Sequence, residues 1–209
     1  MEVGTDGPVV RLTSDMTLIT DRTARTDAPV LDVIADRWSP RIYDPHSPVD
    51  EDGLRSALEA ARWAPSAFNR QPWRFLVTRR GSASHRAVLE ALVEFNRGWA
   101  QDAGALVVVL AETVGEDGRP LPEARYDAGQ AAAYLTLQAH ADGLVVHQMS
   151  GFDQTGLSQA FGLGTDLVPL TVIAVGTPGD ASGADEAVLA RENAPRTRRP
   201  LAESVLLND

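Results

Sequence analysis

The chain contains no cysteine and no lysine. Without cysteine it has no disulfide, no thiol nucleophile, no iron–sulfur cluster and no cysteine-zinc site. Without lysine it has no Schiff-base amine, no pyridoxal-phosphate linkage and no Walker-A amine. All 19 basic residues are arginine, so any bound phosphate must be gripped by guanidinium groups, hydroxyls or backbone amides. Positive charge is in deficit as well: 29 acids against 19 bases give a formal charge of −10. That disfavours nucleic acid and anionic membrane as partners. No apolar run reaches the ~18–20 residues of a membrane span. The opening MEVGTDGPVVRLTSDM lacks a basic start followed by an apolar stretch, so no signal peptide is expected and a cytoplasmic location is. There is no G-x-S-x-G, no H-E-x-x-H and no G-x-G-x-x-G after a strand, so neither a catalytic triad nor a metal site nor a Rossmann crevice is expected.

What is present suits a globular domain: 209 residues, 44% of them hydrophobic. Residues 1–28 are polar without a sustained period and read as an N-terminal extension, with Met16 an alternative start; residues 29–209 read as one domain. Apolar periodicity predicts helices over 29–36, 50–64, 82–98, 123–142 and 153–161. Asp50 and Ser82 are candidate N-caps, and Gly143 a C′ glycine. Strands are predicted at 73–78, 105–111, 144–149 and 170–175, with 105–111 (ALVVVLA) buried on both faces. Residues 177–209 read as a polar tail with an apolar end. The class is α+β.

Four stretches carry polar chemistry. Arg37-Trp38-Ser39-Pro40-Arg41 suits an anion clamp, because guanidinium forks match phosphate oxygens; it suits a solvated helix end too. Ala64-Pro65-Ser66-Ala67-Phe68-Asn69-Arg70-Gln71-Pro72-Trp73 pre-sets its backbone with prolines and offers amide donors and acceptors to a planar heterocycle. It is equally an ordinary helix-to-strand connection. His147-Gln148-Met149-Ser150-Gly151-Phe152 places a glycine just past a strand, where a ligand can approach the backbone, or where the chain simply turns. Arg196-Thr197-Arg198-Arg199-Pro200 is a basic cluster, either a second phosphate candidate or a solvated tail. The histidines at 46, 85, 140 and 147 are scattered, and structural roles are expected for them, with His147 nearest the third stretch.

Taken in order, these stretches resemble the FMN-dependent nitroreductase family over about 31–205. The Ala-Pro-Ser-x-x-Asn-x-Gln-Pro-Trp run at 64–73 and the Arg-x-Ser-x-Arg run at 37–41 carry most of the likeness. Asn96, Asp102-Ala103, Asp127-x-Gly129-x-Ala131, Ser150-Gly151-Phe152 and Arg196-x-Arg198 support it. The resemblance implies a mixed sheet flanked by helices, in a domain-swapped homodimer with FMN at the interface. Arg37, Ser39, Arg41, Arg196 and Arg198 match phosphate and ribityl contacts. Pro65, Ser66, Ala67 and Asn69 match a loop that reaches the flavin from the other subunit. Asn96 matches a contact to the pyrimidine edge, and the backbone of Ser150 and Gly151 the stretch facing flavin N5. No side chain is implied as catalytic, since the flavin carries the chemistry.

Two positions depart from the pattern. Trp99 stands where many relatives carry a basic residue near flavin N1 and O2, with Arg97 the nearest substitute. Ser150 stands where others have Glu or Gly. The implied activity is ping-pong transfer of hydride from NAD(P)H, a transient co-substrate, through FMN to a nitroaromatic or quinone acceptor. The alternatives are a flavin-dependent dehydrogenase or oxidase of a natural product or peptide, and a flavin-binding protein without turnover.

Overall fold

The computed structural model describes residues 22–207. The extension expected at 1–28, Met16 included, lies outside the described residues up to position 21. The chain divides into a larger unit, Ser39–Asp180, and a smaller one whose described residues are 22–38 and 181–207. In chain order the elements are α1 (Asp32–Asp36), α2 (Glu51–Arg62), a 3-10 turn at Ala67–Asn69, β1 (Trp73–Arg79), α3 (Ala83–Ala91) and α4 (Glu94–Ala100). Then follow β2 (Ala105–Glu112), α5 (Ala124–Ala141), β3 (Val145–Met149), α6 (Gln154–Ala160), β4 (Leu167–Gly176), α7 (Glu186–Glu192) and α8 (Leu201–Ser204).

In the larger unit the strands pair in the order β1-β2-β4-β3. Val107 lies opposite Val77 on one side and Ile173 on the other, and His147 opposite Ala174. The seven residues from Ala105 to Ala111 are all buried, as a strand covered on both faces requires. Its alternate residues Ala105, Val107, Val109 and Ala111 join Leu54, Ala57, Ala128, Ala131 and Leu135 in one cluster. That face is covered by α2 and α5, and the alanines of α5 let the two helices approach closely. Burying each large aliphatic contributes about 1.5–3 kcal/mol. Leu106, Val108 and Leu110 point the other way, toward the side on which α3 and α6 pack. The expected mixed sheet is corrected here: every strand pairing among the described residues is antiparallel. Neighbouring strands alternate in direction because β4 inserts between β2 and β3, which run the same way but do not pair, and no segment of 177–207 forms a strand that could lie parallel.

Local signals set the helix ends. Asp50 accepts from the Asp52 N–H, Ser82 from His85 and Asp153 from Gly156, each a side-chain cap on its helix. Gly143, at φ +83°, ends α5 in the left-handed region that glycine adopts without a Cβ clash. The single helix expected over 82–98 is instead two. Leu92 and Val93 are extended (ψ 147° and 149°); Leu92 bridges Phe152, and the Val93 N–H donates to the Gly151 carbonyl at 3.1 Å. Arg97 then caps the broken end, donating to the carbonyls of Leu89, Glu90 and Leu92 at 3.0–3.1 Å. Pairing with a distant segment thus overrides the local helical period. In the smaller unit α7 is a helix where a tail was expected. Asp185 caps it by accepting from Ala187 at 2.8 Å, and Val188 and Leu189 are buried.

Candidate functional site

In the smaller unit Arg37, Arg196 and Arg198 line one cavity of about 720 Å³, together with Arg25, Thr26 and Arg199. Arg196 is the organiser. Its guanidinium donates to the carbonyls of Ala35 and Arg37 at 2.8 Å and to that of Arg22. Arg198 is exposed and donates from Nη1 to the adjacent Thr197 carbonyl at 2.8 Å. The cluster is held against its own repulsion. Burial first, then the charges of Arg196 and Arg198, lower the pKa of Arg37. Burial, then Arg198 and Arg22, lower that of Arg196, with Asp36 opposing. Converging cations of depressed basicity around a cavity form a site that an anion would relieve. Arg22 stacks its guanidinium on Trp38 at 4.6 Å and donates to the Ala194 carbonyl at 3.0 Å. Residues 22–27, part of the expected extension, are therefore built into this unit: the Asp27 carboxylate also accepts from the Leu201 N–H at 2.9 Å.

The Arg37-x-Ser39-x-Arg41 run is divided. Arg37 belongs to the smaller unit, while Ser39 and Arg41, both half-buried, belong to the larger.

In the larger unit the 64–73 loop leaves α2 and takes a strained course. Phe68, Asn69 and Gln71 sit at φ +53°, +55° and +51°, in the left-handed region disfavoured for non-glycine residues. Several bonds over-determine it. Ser66 Oγ accepts from the Gln71 N–H at 3.1 Å, which leaves its O–H to donate. The buried carboxylate of Asp127, on α5, accepts from the Ala67 N–H at 3.0 Å. Gln130 Nε2 reaches the Pro65 carbonyl at 3.5 Å. The loop presents Phe68, 91% exposed, and Asn69 to solvent.

A third group forms where α4 meets the end of β3. Asn96 Nδ2 donates to the Gly151 carbonyl at 3.3 Å. A Cβ on Gly151 would stand 3.0 Å from Asn96 Nδ2 and from a Val93 methyl, so a side chain there would crowd the amide. Ser150 is exposed beside it. Trp99 is buried: its indole lies 4.7 Å from the His147 ring and 6.2 Å from that of Tyr43, the latter stacked within 8°.

So the fold brings Asn96 to Gly151, and Arg37 to Arg196 and Arg198, and it ties Pro65–Asn69 to α5. Residues 34–177 match the model of the nitroreductase family. The chain belongs to that family. A NADH dehydrogenase from Thermus thermophilus is 32% identical over 76% of this chain and 86% of its own length. An uncharacterized 15.4 kDa protein from Mycolicibacterium smegmatis is 38% identical over 62% of this chain and 92% of its own. Among solved structures, an oxidoreductase containing FMN superimposes with a TM-score of 0.83 at 32% identity, over 90% of this chain and 96% of that one.

Within this nitroreductase fold, three residues beside the candidates have no site role legible in the sequence. Arg22 falls in the expected extension. Asp127 was noted only as part of a motif, although an acid within the buried stripe of an alanine-rich helix is itself a signal of a tied partner. His147 was set aside as structural, and nothing local to it reveals that its partner is Pro40.

Proposed function

We propose that the chain is an FMN-dependent oxidoreductase that takes electrons from NAD(P)H and passes them to a small organic acceptor of the nitroaromatic or quinone type. The observation that carries this reading is the arginine-lined cavity of the smaller unit, in a family member without lysine. A dianionic phosphate is the kind of anion such a cluster accommodates, and guanidinium forks bind it bidentately.

The residues present fit the group. In the smaller unit Arg37 and Arg198 would grip the phosphate, with Arg196 chiefly holding that cluster in shape; in the larger unit Ser39 and Arg41 are the residues proposed to contact the phosphate and ribityl chain. Asn96 would meet the pyrimidine edge of the ring. The absence of a side chain at Gly151 lets Asn96 and Val93 pack against its backbone and keeps the Asn96 amide in place there. When bound, FMN supplies two-electron redox chemistry that no side chain here provides. Without a dinucleotide fingerprint to hold the nicotinamide cofactor apart, NAD(P)H and the acceptor are read as using one site in turn.

The protein is read as a homodimer in which Pro65, Ser66, Ala67 and Asn69 complete the partner's flavin site. Two features support this. The loop is anchored to α5 by Asp127, and it exposes Phe68, while Trp63, the residue that ends α2, is itself 70% exposed. Exposed aromatics of this kind are characteristic of contact surfaces.

The deciding experiment is the visible spectrum of the purified protein with identification of the released chromophore, followed by NAD(P)H oxidation with menadione or a nitroarene. Protein that is colourless and takes up no added FMN refutes the reading. Yellow protein that oxidises no NAD(P)H with either acceptor keeps the flavin and removes the reductase.

A further inference from the structure

His147 lies on β3, three residues before Ser150, and is almost fully buried. Its Nδ1 is 2.9 Å from the carbonyl oxygen of Pro40. A carbonyl can only accept, so Nδ1 carries a proton, and in the neutral ring the bond selects the Nδ1-protonated tautomer. Pro40 is the residue between Ser39 and Arg41. Its ring fixes φ and removes its own N–H, so this carbonyl is its one backbone polar group, and His147 holds it from across the sheet edge.

The imidazole is itself clamped. Trp99 packs on it at 4.7 Å, and Tyr43 stacks on Trp99. The Tyr43 hydroxyl donates to the carbonyl of Ala174, the residue opposite His147 in the sheet. Trp99 lies one helical turn beyond Asn96 on α4. The stack Tyr43–Trp99–His147 therefore borders three candidate segments at once: 39–41, α4 with Asn96, and the end of β3 with Ser150 and Gly151. The Trp99 indole N–H is buried without a hydrogen-bond partner, a cost that shape-filling within the stack must offset. Trp99 thus occupies its position as a packing element, and Arg97 is engaged with the end of α3.

We infer that His147 is a positioning residue for the phosphate end of the flavin: by donating from Nδ1 to the Pro40 carbonyl it sets the course of the Ser39–Arg41 backbone, and with it the direction of both side chains. This rests on the proposed role of Ser39 and Arg41 toward FMN. It assigns His147 no contact with the flavin.

The test is titration of apo-protein with FMN and with riboflavin, which shares the ring and ribityl chain but lacks the phosphate, for wild type, His147→Leu and His147→Asn. An Asn amide nitrogen falls near the place of Nδ1 and keeps the donor. The His147→Leu protein is expected to bind FMN on the order of tenfold more weakly, the worth of about one hydrogen bond and its geometry, with riboflavin changed much less. His147→Asn is expected to recover most of the loss. Equal losses for both flavins, equal losses for Leu and Asn, or no loss for Leu each overturn the inference. Wild type that binds FMN no better than riboflavin overturns the phosphate reading, and the inference falls with it; preference for FMN that survives in His147→Leu overturns the inference alone. A measurement on the unmutated protein gives a second check. Nitrogen-15 NMR of the imidazole should show a proton on Nδ1, and a ring protonated at Nε2 alone would refute the donor role.

Discussion

The carboxylate of Asp127 accepts the backbone N–H of Ala67 at 3.0 Å, and that N–H is the last before the chain turns left-handed at Phe68. Three non-glycine residues in that region cost on the order of 1–3 kcal/mol each. A hydrogen bond to a charged acceptor returns about 1.5–3 kcal/mol. Asp127 therefore offsets a share of the strain at the point where the loop begins, and Ser66 Oγ takes up the Gln71 N–H where the strained stretch ends.

Replacing Asp127 separates charge from shape. Asp127→Ala is expected to lower the free energy of unfolding by about 2 kcal/mol, since it also leaves the Ala67 N–H without its acceptor. Asp127→Asn keeps an oxygen in place and should lose less than half of that. Urea denaturation of the three proteins decides it. Equal losses in the two variants would mean that the negative charge, and not an oxygen kept in place, holds the loop, and no loss in Asp127→Ala would refute the anchor.

Much of this arrangement was legible in the sequence, for identifiable reasons. Strand β2 announced itself because seven consecutive apolar residues with turn signals at both ends have one physical solution, burial on both faces. Asp50, Ser82 and Gly143 were legible because caps are local, depending on residues two to four positions away. The break at Leu92–Val93 was not, because its cause is the pairing with Gly151 and Phe152. The same holds at the site. The motifs at 37–41, 64–73, 150–151 and 196–198 stood out as residue types, but which side chains were already engaged did not. Arg196 and Arg198 look alike in sequence, yet one is bound to three carbonyls and the other is exposed.

That difference is measurable. Arg196→Ala removes donors from the carbonyls of Arg22, Ala35 and Arg37 and is expected to destabilise the protein by about 1–3 kcal/mol, weakening FMN and riboflavin together. Arg198→Ala should leave the melting temperature nearly unchanged and weaken FMN roughly tenfold to a hundredfold, with riboflavin little affected. Arg198→Lys should rescue only in part, because lysine keeps the charge and loses the fork. Thermal melts and titrations with both flavins read the two effects separately; identical profiles for Arg196→Ala and Arg198→Ala would refute the division of labour.

His85 makes stability depend on pH. It is 2% exposed on α3, its Nε2 has no hydrogen-bond partner, and burial, then the charge of Arg80, lowers its pKa from 6.5 to about 4. The folded value lies below the unfolded one, so the unfolded chain takes up a proton first. The stability this group contributes is complete above about pH 6.5 and is lost as pH falls toward 4, by up to about 1.4 kcal/mol per pH unit across the window. Half-buried Asp102, whose pKa burial raises against the charges of Arg80 and His46, works in the opposite sense. His85→Leu is expected to flatten the decline between pH 6.5 and 4.5. Melting temperatures across that range, wild type against variant, test it, and parallel curves would assign the acid sensitivity elsewhere.

The proposed sharing of sites between subunits can be tested by complementation. Arg37 lines the arginine cavity, and Asn69 stands exposed on the strained loop. Because Asn69 is at φ +55°, glycine removes its side chain without adding strain, whereas alanine would add it; Asn69→Gly is therefore the clean variant. Arg37→Ala is its counterpart. Each variant alone has two defective sites per dimer whichever way the sites are built. The mixed dimer distinguishes the cases. If each site takes Arg37 from one chain and Asn69 from the other, one of its sites has both residues intact and the other has neither. If both residues serve the same chain's site, every site in the mixture stays defective. Unfolding and refolding an equal mixture should then restore tight FMN binding at roughly one site in four, counting the random pairing of chains in a twofold dimer. Titration of the refolded mixture with FMN reads that fraction directly, and no recovery above the separate variants would show that the loop and the arginine cavity serve one and the same chain.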